Sequence, residues 1–478
     1  MLKVCSAKNC YVITVRSFSY HFVIFHSRPF PLHSDDVPTL GRNILVCCHH
    51  YQLQAGCDEA FRVDGQSLVF GPGCLSEAGS HALALGLKKV TLFTDKTLSA
   101  SDHVGKVMKS LLAAGIDVAL YDDVAVEPTD ESFKAAAAFA QDGNFDGFVS
   151  VGGGSVIDTC KAANLYATYP ADFLAYVNAP IGGGVPVPGP VKPHIACPTT
   201  SGTGSEATGI TIFDLLSMKA KTGIASQHLK PTLGLVDPHV THTLPKNVIA
   251  ATAFDVLSHA LECMTARPFT VREKPQNPAA RPYSQGGNPW SDLIAKEALK
   301  LVGEHMVAAV TDPDNLESRE YLMWASSLAG IAFGQAGCHL PHGMSYAVSG
   351  LVKDFRPEGY PQEAPIVPHG MSVILNAPSV FRLTGPHAPE RHLAAYACLG
   401  GNHEAGPSEA GEAVAEHLIG MMKATGIPNG LKGVGYSAAD LDKLTDGAFP
   451  QKRLLGLAPC QIERDDLYKL FEGALSYW

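Results

Sequence analysis

The sequence predicts an α/β amino-terminal half built on a parallel sheet, followed by an all-helical carboxy-terminal half. From about residue 65, short apolar strands alternate with helix-length stretches, which is typical of a parallel sheet with helices on both faces. After residue 244 this alternation ends and long helical patterns follow. The chain has 478 residues, more than one hydrophobic core usually supports, so the change of pattern favours two domains.

The individual elements follow in order along the chain. In the first half, strands are predicted at 67–71, 89–95, 117–122, 145–151, 194–200 and 232–238, with a β pair within 208–225 and helices at 101–114 and 129–141. In the second half, helices are predicted at 246–265, 291–310, 315–336, 368–382, 407–426 and 465–476. We therefore divide the chain into an extension at 1–60, an α/β domain at 61–244 and a helical domain at 245–478.

Composition narrows the class of protein. Hydrophobic residues make up 46% of the chain and charged residues 17%, below the roughly 25% of an average domain, which excludes a disordered chain. The net charge of −10 excludes a global basic field for nucleic acid. No uncharged apolar stretch approaches the roughly 18 residues that a membrane span needs. The 12 cysteines are scattered, which favours free thiols in a reducing compartment.

The first 34 residues are basic and contain no acidic residue before Asp35. Their four Lys or Arg and five serines resemble an organellar transit segment, although six aromatic residues are untypical of one. We expect a mitochondrial location if the protein is eukaryotic and a cytoplasmic one otherwise; the alternative is an unstructured extension. The cluster from Cys47 to His50 could bind a soft metal, but no second cluster matches it.

Two segments of the α/β half have the composition of a phosphate site. In VGGGSVID (151–158), a strand ends in three glycines and a helix opens at Ser155, so exposed N–H groups point at a bound anion. This is not the GxGxxG fingerprint, and a tight turn is the alternative reading. In CPTTSGTGSEATG (197–209), hydroxyl side chains crowd a second loop, and Lys221 beyond it could supply a cation. Asp95 follows a strand, where it can accept from ribose hydroxyls and would repel a 2′-phosphate, which favours NAD over NADP.

One carboxylate and three histidines form a candidate metal site in the helical half. Asp255 and His259 are four residues apart on a predicted helix, so they project from one face. His342 and His369 each lie in a Pro-His-Gly triplet, where glycine permits a close backbone approach. This donor set suits Fe²⁺ or Zn²⁺. Because the chain has 20 histidines, surface or capping roles are the alternative for any one of them.

In this order, the segments resemble the iron-containing, group III alcohol dehydrogenase family over roughly residues 65–476. Within it, VEPTDESF, SGTGSEATG, HLPHGMSYAVSGLVK and GLAPC resemble the hydroxyacid–oxoacid transhydrogenase subgroup. The resemblance implies the architecture shared with dehydroquinate synthase: a Rossmann-like dinucleotide-binding domain at 61–244 and a metal-binding helical domain at 245–478. In many relatives a second histidine follows the third ligand by four residues; here that position is Tyr346. The third and fourth ligands are 27 residues apart, further than in simple relatives, and the subgroup shares both features.

The resemblance also implies a role for each candidate residue. The implied metal ligands are Asp255, His259, His342 and His369. The implied contacts to NAD(H) are Asp95, Gly152, Gly153, Gly154, Ser155, Asp158, Thr199, Thr200, Thr203, Thr208 and Lys221. Apart from the resemblance, we take His339 or Tyr346 as the candidate that relays the alcohol proton; a packing role near the third ligand is the alternative for Tyr346. We also expect one or two of six cations on two extra segments to hold a substrate carboxylate. These are Arg267, Arg272, Lys274, Arg281, Lys353 and Arg356, for each of which a solvated loop is the alternative.

The implied activity is that of a metal-dependent oxidoreductase. It would oxidise 4-hydroxybutyrate to succinate semialdehyde and pass the hydride, through a bound nicotinamide, to 2-oxoglutarate, giving 2-hydroxyglutarate. We expect small hydroxy acid and oxo acid substrates, a homo-oligomer, and neither nucleic acid nor membrane partners. An ordinary alcohol dehydrogenase that releases NADH is the main alternative. A dehydroquinate synthase-like lyase and a non-catalytic binding protein are remoter ones.

Overall fold

The computed structural model describes residues 51–218, 220–402 and 404–478, together with a short amino-terminal hairpin. The hairpin pairs β1 (Lys3–Ala7) with β2 (Cys10–Thr14) in antiparallel register, within a unit that spans residues 1–47. Residues 48–478 form the second unit. Most of the predicted transit segment and the cluster from Cys47 to His50 lie outside the described residues.

Six parallel strands form the central sheet of the α/β part, as predicted. They are β3 (Leu68–Phe70), β4 (Lys89–Phe93), β5 (Asp117–Tyr121), β6 (Gly147–Gly152), β7 (His194–Pro198) and β10 (Leu233–Val236). Their order across the sheet is β3-β10-β7-β6-β4-β5. The chain runs outward from β4 to β5 and then returns to place β6 on the other side of β4. The loops after β4 and β6 therefore diverge, and such a crevice is where open α/β sheets bind ligands.

Four helices accompany the sheet, and local signals fix where they begin. They are α1 (Ala78–Ala84), α2 (Asp102–Ala113), α3 (Asp130–Gly143) and α4 (Gly154–Thr168). The side chain of Ser101 accepts from the N–H of Val104 at the start of α2, and Thr129 forms a capping box with Ser132 at the start of α3. Gly153 caps α4 without a side chain, so the helix start stays open. All six residues of β6 are buried, as expected for a central parallel strand.

A two-stranded antiparallel hairpin follows the loop after β7, at the position of the predicted β pair. It consists of β8 (Ile210–Leu215) and β9 (Ala220–Ala225). The register places Asp214 opposite Lys221. This pairing brings a cation and a carboxylate together beside the carboxyl ends of the parallel strands.

The rest of the described chain is helical. The helices are α5 (Lys246–Thr265), α6 (Pro289–Thr311), α7 (Leu316–Ala336), α8 (Leu340–Gly350), α9 (His369–Ile374), α10 (Ala377–Thr384), α11 (Pro389–Cys398), α12 (Ala410–Thr425), α13 (Leu441–Ala448), α14 (Lys452–Leu455) and α15 (Arg464–Gly473). By length and composition α5 could cross a membrane, but 89% of its apolar window is buried inside the protein. It is the central helix of this part and contacts α6, α7 and α9.

Two details of the helical part differ from the prediction. The single helix predicted at 368–382 is two helices, because Pro378 lies in the first turn of α10 and cannot continue α9. No helix was predicted around His342, but α8 begins there. Pro341 occupies the first turn of α8, where a missing N–H costs nothing, so the Pro-His-Gly triplet is compatible with a helix start.

Candidate metal and cofactor site

A cavity of about 370 Å³ is lined by the strand loops of the α/β part and by helices α5, α8 and α9. The lining includes the four predicted metal ligands, Asp255, His259, His342 and His369, which we call the metal wall. It also includes Gly153, Gly154, Ser155, Thr199, Thr200 and Thr203, which we call the glycine wall. Both predicted functions therefore open onto one space.

In the metal wall, three imidazole nitrogens lie close to one carboxylate oxygen. The Nε2 atoms of His259, His342 and His369 lie 3.7, 3.5 and 3.6 Å from Oδ1 of Asp255. A tetrahedral ion with bonds of about 2.1 Å has neighbouring ligands about 3.4 Å apart. Oδ1 of Asp255 and Nε2 of His342 are buried and have no hydrogen-bond partner among the described residues. The ligand atoms of Asp255, His342 and His369 all lie within 4.8 Å of one another, so a divalent cation fits these three donors and would satisfy both buried atoms.

Helix geometry explains how ligands from distant segments meet. Asp255 and His259 lie one turn apart on the buried face of α5, as predicted from their spacing. His342 and His369 lie in the first turns of α8 and α9, and both helices pack on α5. A Cβ on Gly370 would lie 2.0 Å from a backbone oxygen of α5, so glycine in the second Pro-His-Gly triplet permits this approach.

A second buried carboxylate, that of Glu262, holds the predicted metal ligand His342 in place. The sequence analysis missed this residue. Nδ1 of His342 donates to Oε1 of Glu262 at 2.5 Å, and the backbone N–H of His339 donates to Oε2 at 2.6 Å. This contact directs Nε2 of His342 toward Asp255, as carboxylate–histidine pairs do in metal centres. Glu262 continues the face of α5 that carries Asp255 and His259, at the spacing i, i+4, i+7, so its helical position was a usable signal.

The electrostatics of the metal wall favour a bound cation. Burial lowers the pKa of His259 to about 3, so its ring is neutral and free to donate a lone pair. Burial alone would raise the pKa of Asp255, but His259, His369 and His342 outweigh it and hold the pKa below its usual range. The pKa of His342 is raised well above its usual value, because Cys338, Glu262 and Asp255 outweigh burial. The pocket thus stabilises positive charge between two carboxylates.

Two further groups border the metal wall. The ring of Phe333 stacks on His259 with centroids 3.9 Å apart, which fixes the imidazole plane and excludes water from that side. The Sγ atom of Cys338 and one ring nitrogen of each of His259 and His342 lie within 4.8 Å of one another. Burial raises the pKa of Cys338 to about 11. No sequence pattern identified Cys338, because its proximity depends on the turn before α8.

The glycine wall is a close contact between two loops. The N–H of Thr199 donates to the carbonyl of Gly152 at 3.0 Å, which ties the loop after β7 to the loop after β6. A Cβ on Gly154 would lie 2.6 Å from the side chain of Thr203, and one on Gly153 would lie 3.4 Å from that of Thr200. The two glycines therefore let the threonine side chains of the second loop pack directly against the backbone at the start of α4.

Nearly all of the predicted cofactor contacts line the cavity. They are Asp95, Gly153, Gly154, Ser155, Asp158, Thr199, Thr200, Thr203, Thr208 and Lys221. Gly152 does not, because it lies at the end of β6 against the side chain of Val156, where a Cβ would approach to 2.4 Å. Its role in the structure is packing between strand and helix. Oδ1 of Asp95 accepts from the N–H groups of Thr97 and Leu98 at 2.9 Å, which orients the carboxylate at the cavity edge.

Asp158 and Lys221 are also held by the protein itself. Asp158 accepts from the hydroxyl of Ser205 and, at 2.9 Å, from the N–H of Ile212. The fully buried Lys161, which the sequence analysis missed, donates to Ser205 and to the carbonyl of Ile210. Lys221 lies 2.7 Å from Glu127 and 3.1 Å from Asp214. These two carboxylates outweigh burial and raise the pKa of Lys221, which keeps it charged.

The two candidates for proton relay lie in different places. His339 is fully buried behind the metal wall, where Nε2 contacts Thr265 at 2.9 Å, and it does not line the cavity. The prediction for His339 is therefore corrected to a supporting role, since a group that relays a proton must reach the substrate. Tyr346 does line the cavity, one turn beyond His342 on α8.

The six cations proposed to hold a substrate carboxylate are engaged elsewhere. Arg272 and Arg281 both bind the buried carboxylate of Asp58, at 2.5 and 2.9 Å. Lys274 lies beside Glu59 and Lys353 beside Asp440. Arg356 donates to backbone carbonyls, and none of the six, Arg267 included, lines the cavity. The prediction was wrong for this set, because the first extra segment anchors the chain near Asp58. Arg453, which the sequence analysis did not consider, lines the cavity instead.

Taken together, the α/β sheet with its open helix start and the buried carboxylate–imidazole cluster define a metal-dependent oxidoreductase. Comparison with known proteins specifies the class. Residues 65–238 match the family described as iron-containing alcohol dehydrogenase, and residues 282–475 match the carboxy-terminal part of the same family.

The curated relatives are transhydrogenases. The chain is 48% identical over 424 residues to hydroxyacid-oxoacid transhydrogenase, mitochondrial, from Bos taurus, covering 88% of this chain and 91% of the relative. The identity and both coverages are the same for the protein of that name from Homo sapiens. The chain therefore belongs to the iron-containing alcohol dehydrogenase family. The names of these relatives agree with the expected mitochondrial location of a eukaryotic chain.

Solved structures share the fold. A crystal structure of 1,3-propanediol oxidoreductase superposes with a TM-score of 0.75 at 27% identity, covering 87% of this chain and all of that one. Sulfoacetaldehyde reductase from Bifidobacterium kashiwanohense, solved in complex with NAD⁺, superposes with a TM-score of 0.70 at 25% identity, covering 88% and 99%. The predicted fold class and family are thus confirmed.

Proposed function

We propose that this oxidoreductase is a transhydrogenase that oxidises 4-hydroxybutyrate and reduces 2-oxoglutarate in the same cavity. The observation that carries the proposal is that the metal wall and the glycine wall line one cavity. A hydroxyl held at Asp255 and the three histidines would lie beside a cofactor held by the start of α4. The names of the curated relatives support hydroxy acids and oxo acids as the substrate class.

Asp255, His259, His342 and His369 would hold a divalent ion, either Fe²⁺ or Zn²⁺. When bound, such an ion supplies a Lewis acid that favours loss of the proton from a substrate hydroxyl. The protein's own contribution is to orient two of the ligand rings. Glu262 fixes the ring of His342, and Phe333 fixes that of His259.

The glycine wall and its neighbours would hold NAD(H). The N–H groups at the start of α4 face the position of a pyrophosphate, and the threonine side chains of the second loop supply hydroxyl donors. Asp95 would accept from ribose hydroxyls and repel a 2′-phosphate, which favours NAD over NADP. A structural relative solved with NAD⁺ supports this assignment. When bound, the nicotinamide supplies a hydride acceptor for one half-reaction and a hydride donor for the other.

Two further residues that line the cavity, Tyr346 and Lys221, would assist the reaction. Tyr346 lies beside the metal wall with its pKa raised by burial, although Arg453 and His342 oppose the shift. A neutral phenol there can donate a hydrogen bond to the reacting oxygen or carry its proton away. Lys221 stays charged between Glu127 and Asp214, so it adds a fixed positive charge on the cofactor side.

The reaction balances without an external oxidant. 4-Hydroxybutyrate loses two electrons and two protons as it becomes succinate semialdehyde, and 2-oxoglutarate gains the same number as it becomes 2-hydroxyglutarate. The proton released from the first hydroxyl equals the proton taken up by the second oxygen. A cofactor that stays bound therefore returns to its starting state after each full cycle.

The test is to incubate purified protein with 4-hydroxybutyrate and 2-oxoglutarate without added nicotinamide. We expect 2-hydroxyglutarate and succinate semialdehyde in equal amounts over many turnovers. Omission of either acid should stop formation of the other product, which serves as the control. Strict dependence on added NAD, with NADH accumulating in solution, would instead identify an ordinary dehydrogenase and contradict the proposal.

A further inference from the structure

We propose that Arg453 binds the carboxylate that both substrates carry three bonds away from the reacting carbon. This inference rests on the proposed function and adds the residue that selects acids over neutral alcohols. Within the described ranges, the lysine and arginine side chains that line the cavity are those of Lys221 and Arg453.

These two cations differ in whether they are free to bind a ligand. Lys221 is buried and already neutralised by Glu127 and Asp214. Arg453 is partly buried and makes no ion pair or hydrogen bond with any residue that the structure describes. The guanidinium of an arginine without a partner is free to bind a ligand in the cavity. Its planar arrangement of N–H donors fits the two oxygens of a carboxylate.

Arg453 lies on a helix that packs against the helix of His342 and Tyr346. These helices are α14 and α8, and Arg453 acts electrostatically on Tyr346, one turn beyond His342. Side chains one turn apart on a helix are separated by about 5–6 Å. An extended chain of three bonds spans about 3.8 Å, and the oxygen at each end adds to this. A substrate whose oxygen is held at the metal wall and whose chain extends past Tyr346 would bring its carboxylate toward α14, where Arg453 lines the same cavity.

The two substrates share the feature that one fixed cation could recognise. In 4-hydroxybutyrate the reacting carbon is C4 and the carboxylate is C1; in 2-oxoglutarate the reacting carbon is C2 and the distal carboxylate is C5. In both, three carbon–carbon bonds separate the two positions. One arginine can therefore orient the donor and the acceptor in turn, with the same atom presented to the nicotinamide. Leu454, the next residue on α14, lines the cavity and offers an apolar surface to the methylenes between.

The test compares acids with a neutral analogue in the variants Arg453→Met and Arg453→Gln. The donor half-reaction is followed by the absorbance of reduced nicotinamide on the enzyme, with 4-hydroxybutyrate and with 4-hydroxybutyramide. The acceptor half-reaction is followed by reoxidation with 2-oxoglutarate. We expect the KM for both acids to rise about 10- to 100-fold, as for the loss of one charge-assisted pair, with the amide unchanged. Arg453→Lys, which keeps the charge but not the planar fork, should fall between.

The matched control is Lys452→Met, which removes one positive charge from the same helix. Lys452 is exposed, lies over the ring of Phe449 and does not line the cavity, so the KM values should stay near wild type. The inference is overturned if both acids keep their KM, if only one of them changes, or if the amide is affected as strongly as the acids. The last result would mean a structural role for Arg453. A wild-type protein that transfers no hydride between the acids would instead refute the proposed function, whatever the variants do.

Discussion

The two walls of the cavity are built on opposite principles. The metal wall consists of side chains from α5, α8 and α9, and two of its rings are held by other side chains, His342 by Glu262 and His259 by Phe333. The glycine wall consists of two consecutive loops that present backbone and short hydroxyl side chains. Substitutions that remove a charge or a hydrogen bond should therefore weaken metal binding at the metal wall. Substitutions that add atoms should weaken cofactor binding at the glycine wall.

The largest effect is expected from Asp255→Asn, which removes the charge shared by all three histidines. We expect the bound metal to be lost and transhydrogenation to fall about a thousandfold or more, since the hydroxyl loses its Lewis acid. Elemental analysis and product assays measure the two effects. Binding of NADH, followed by fluorescence, should remain, because the glycine wall is untouched. Asp312→Asn, at an exposed helix end, is the control, and an active variant that retains metal would refute the site.

Glu262→Gln tests whether the hydrogen bond between Glu262 and His342 strengthens metal binding. The amide keeps the size of the side chain but weakens its bond to Nδ1 of His342. We expect metal affinity to fall about 10- to 100-fold, as is typical when such a partner is lost. Titration with a competing chelator measures the affinity, and Glu297→Gln on α6 serves as a control. An unchanged affinity would mean that the ligands alone define the site.

Acid should destabilise the strand that leads into the glycine wall. His194 on β7 contacts the hydroxyl of Ser150 at 2.8 Å, and burial lowers its pKa to about 3. Because the unfolded chain takes up this proton near pH 6.5, folding stability is full above that pH and falls as the pH drops toward 3. At pH 5 the loss is about 2 kcal/mol relative to pH 7. Urea unfolding of wild type and His194→Gln at both pH values measures it; an equal pH dependence in the two proteins would contradict the assignment.

Gly154→Ala tests the glycine wall by adding one methyl group. Its Cβ would meet the side chain of Thr203 at 2.6 Å, so the loop must shift and the cofactor should bind about tenfold more weakly. Metal content should stay at the wild-type level. Gly105→Ala is the matched control, since a Cβ there meets nothing within 4 Å. Equal cofactor affinity in the two variants would show that the close approach of the loops is not needed for binding.

The difference between the walls also explains what the sequence could predict. The glycines and threonines are contiguous, and Asp255 and His259 follow helical spacing, so their placement on the cavity followed from local patterns. The sequence placed the substrate cation wrongly, on the segment that contains Arg272 and Arg281. Those two arginines bind Asp58, more than 200 residues earlier in the chain. Arg453 becomes available only because α14 folds back onto α8, which no local spacing reveals.

Transfer of a labelled hydride tests the central claim most directly. 4-Hydroxybutyrate carrying two deuterium atoms at C4 is incubated with the protein, unlabelled 2-oxoglutarate and an excess of unlabelled NADH in solution. The two walls act on one space, so we predict that one deuterium of each pair appears at C2 of 2-hydroxyglutarate. Product without deuterium, or deuterium collected in the free NADH, would show that the hydride leaves the cavity between the half-reactions and would contradict the account.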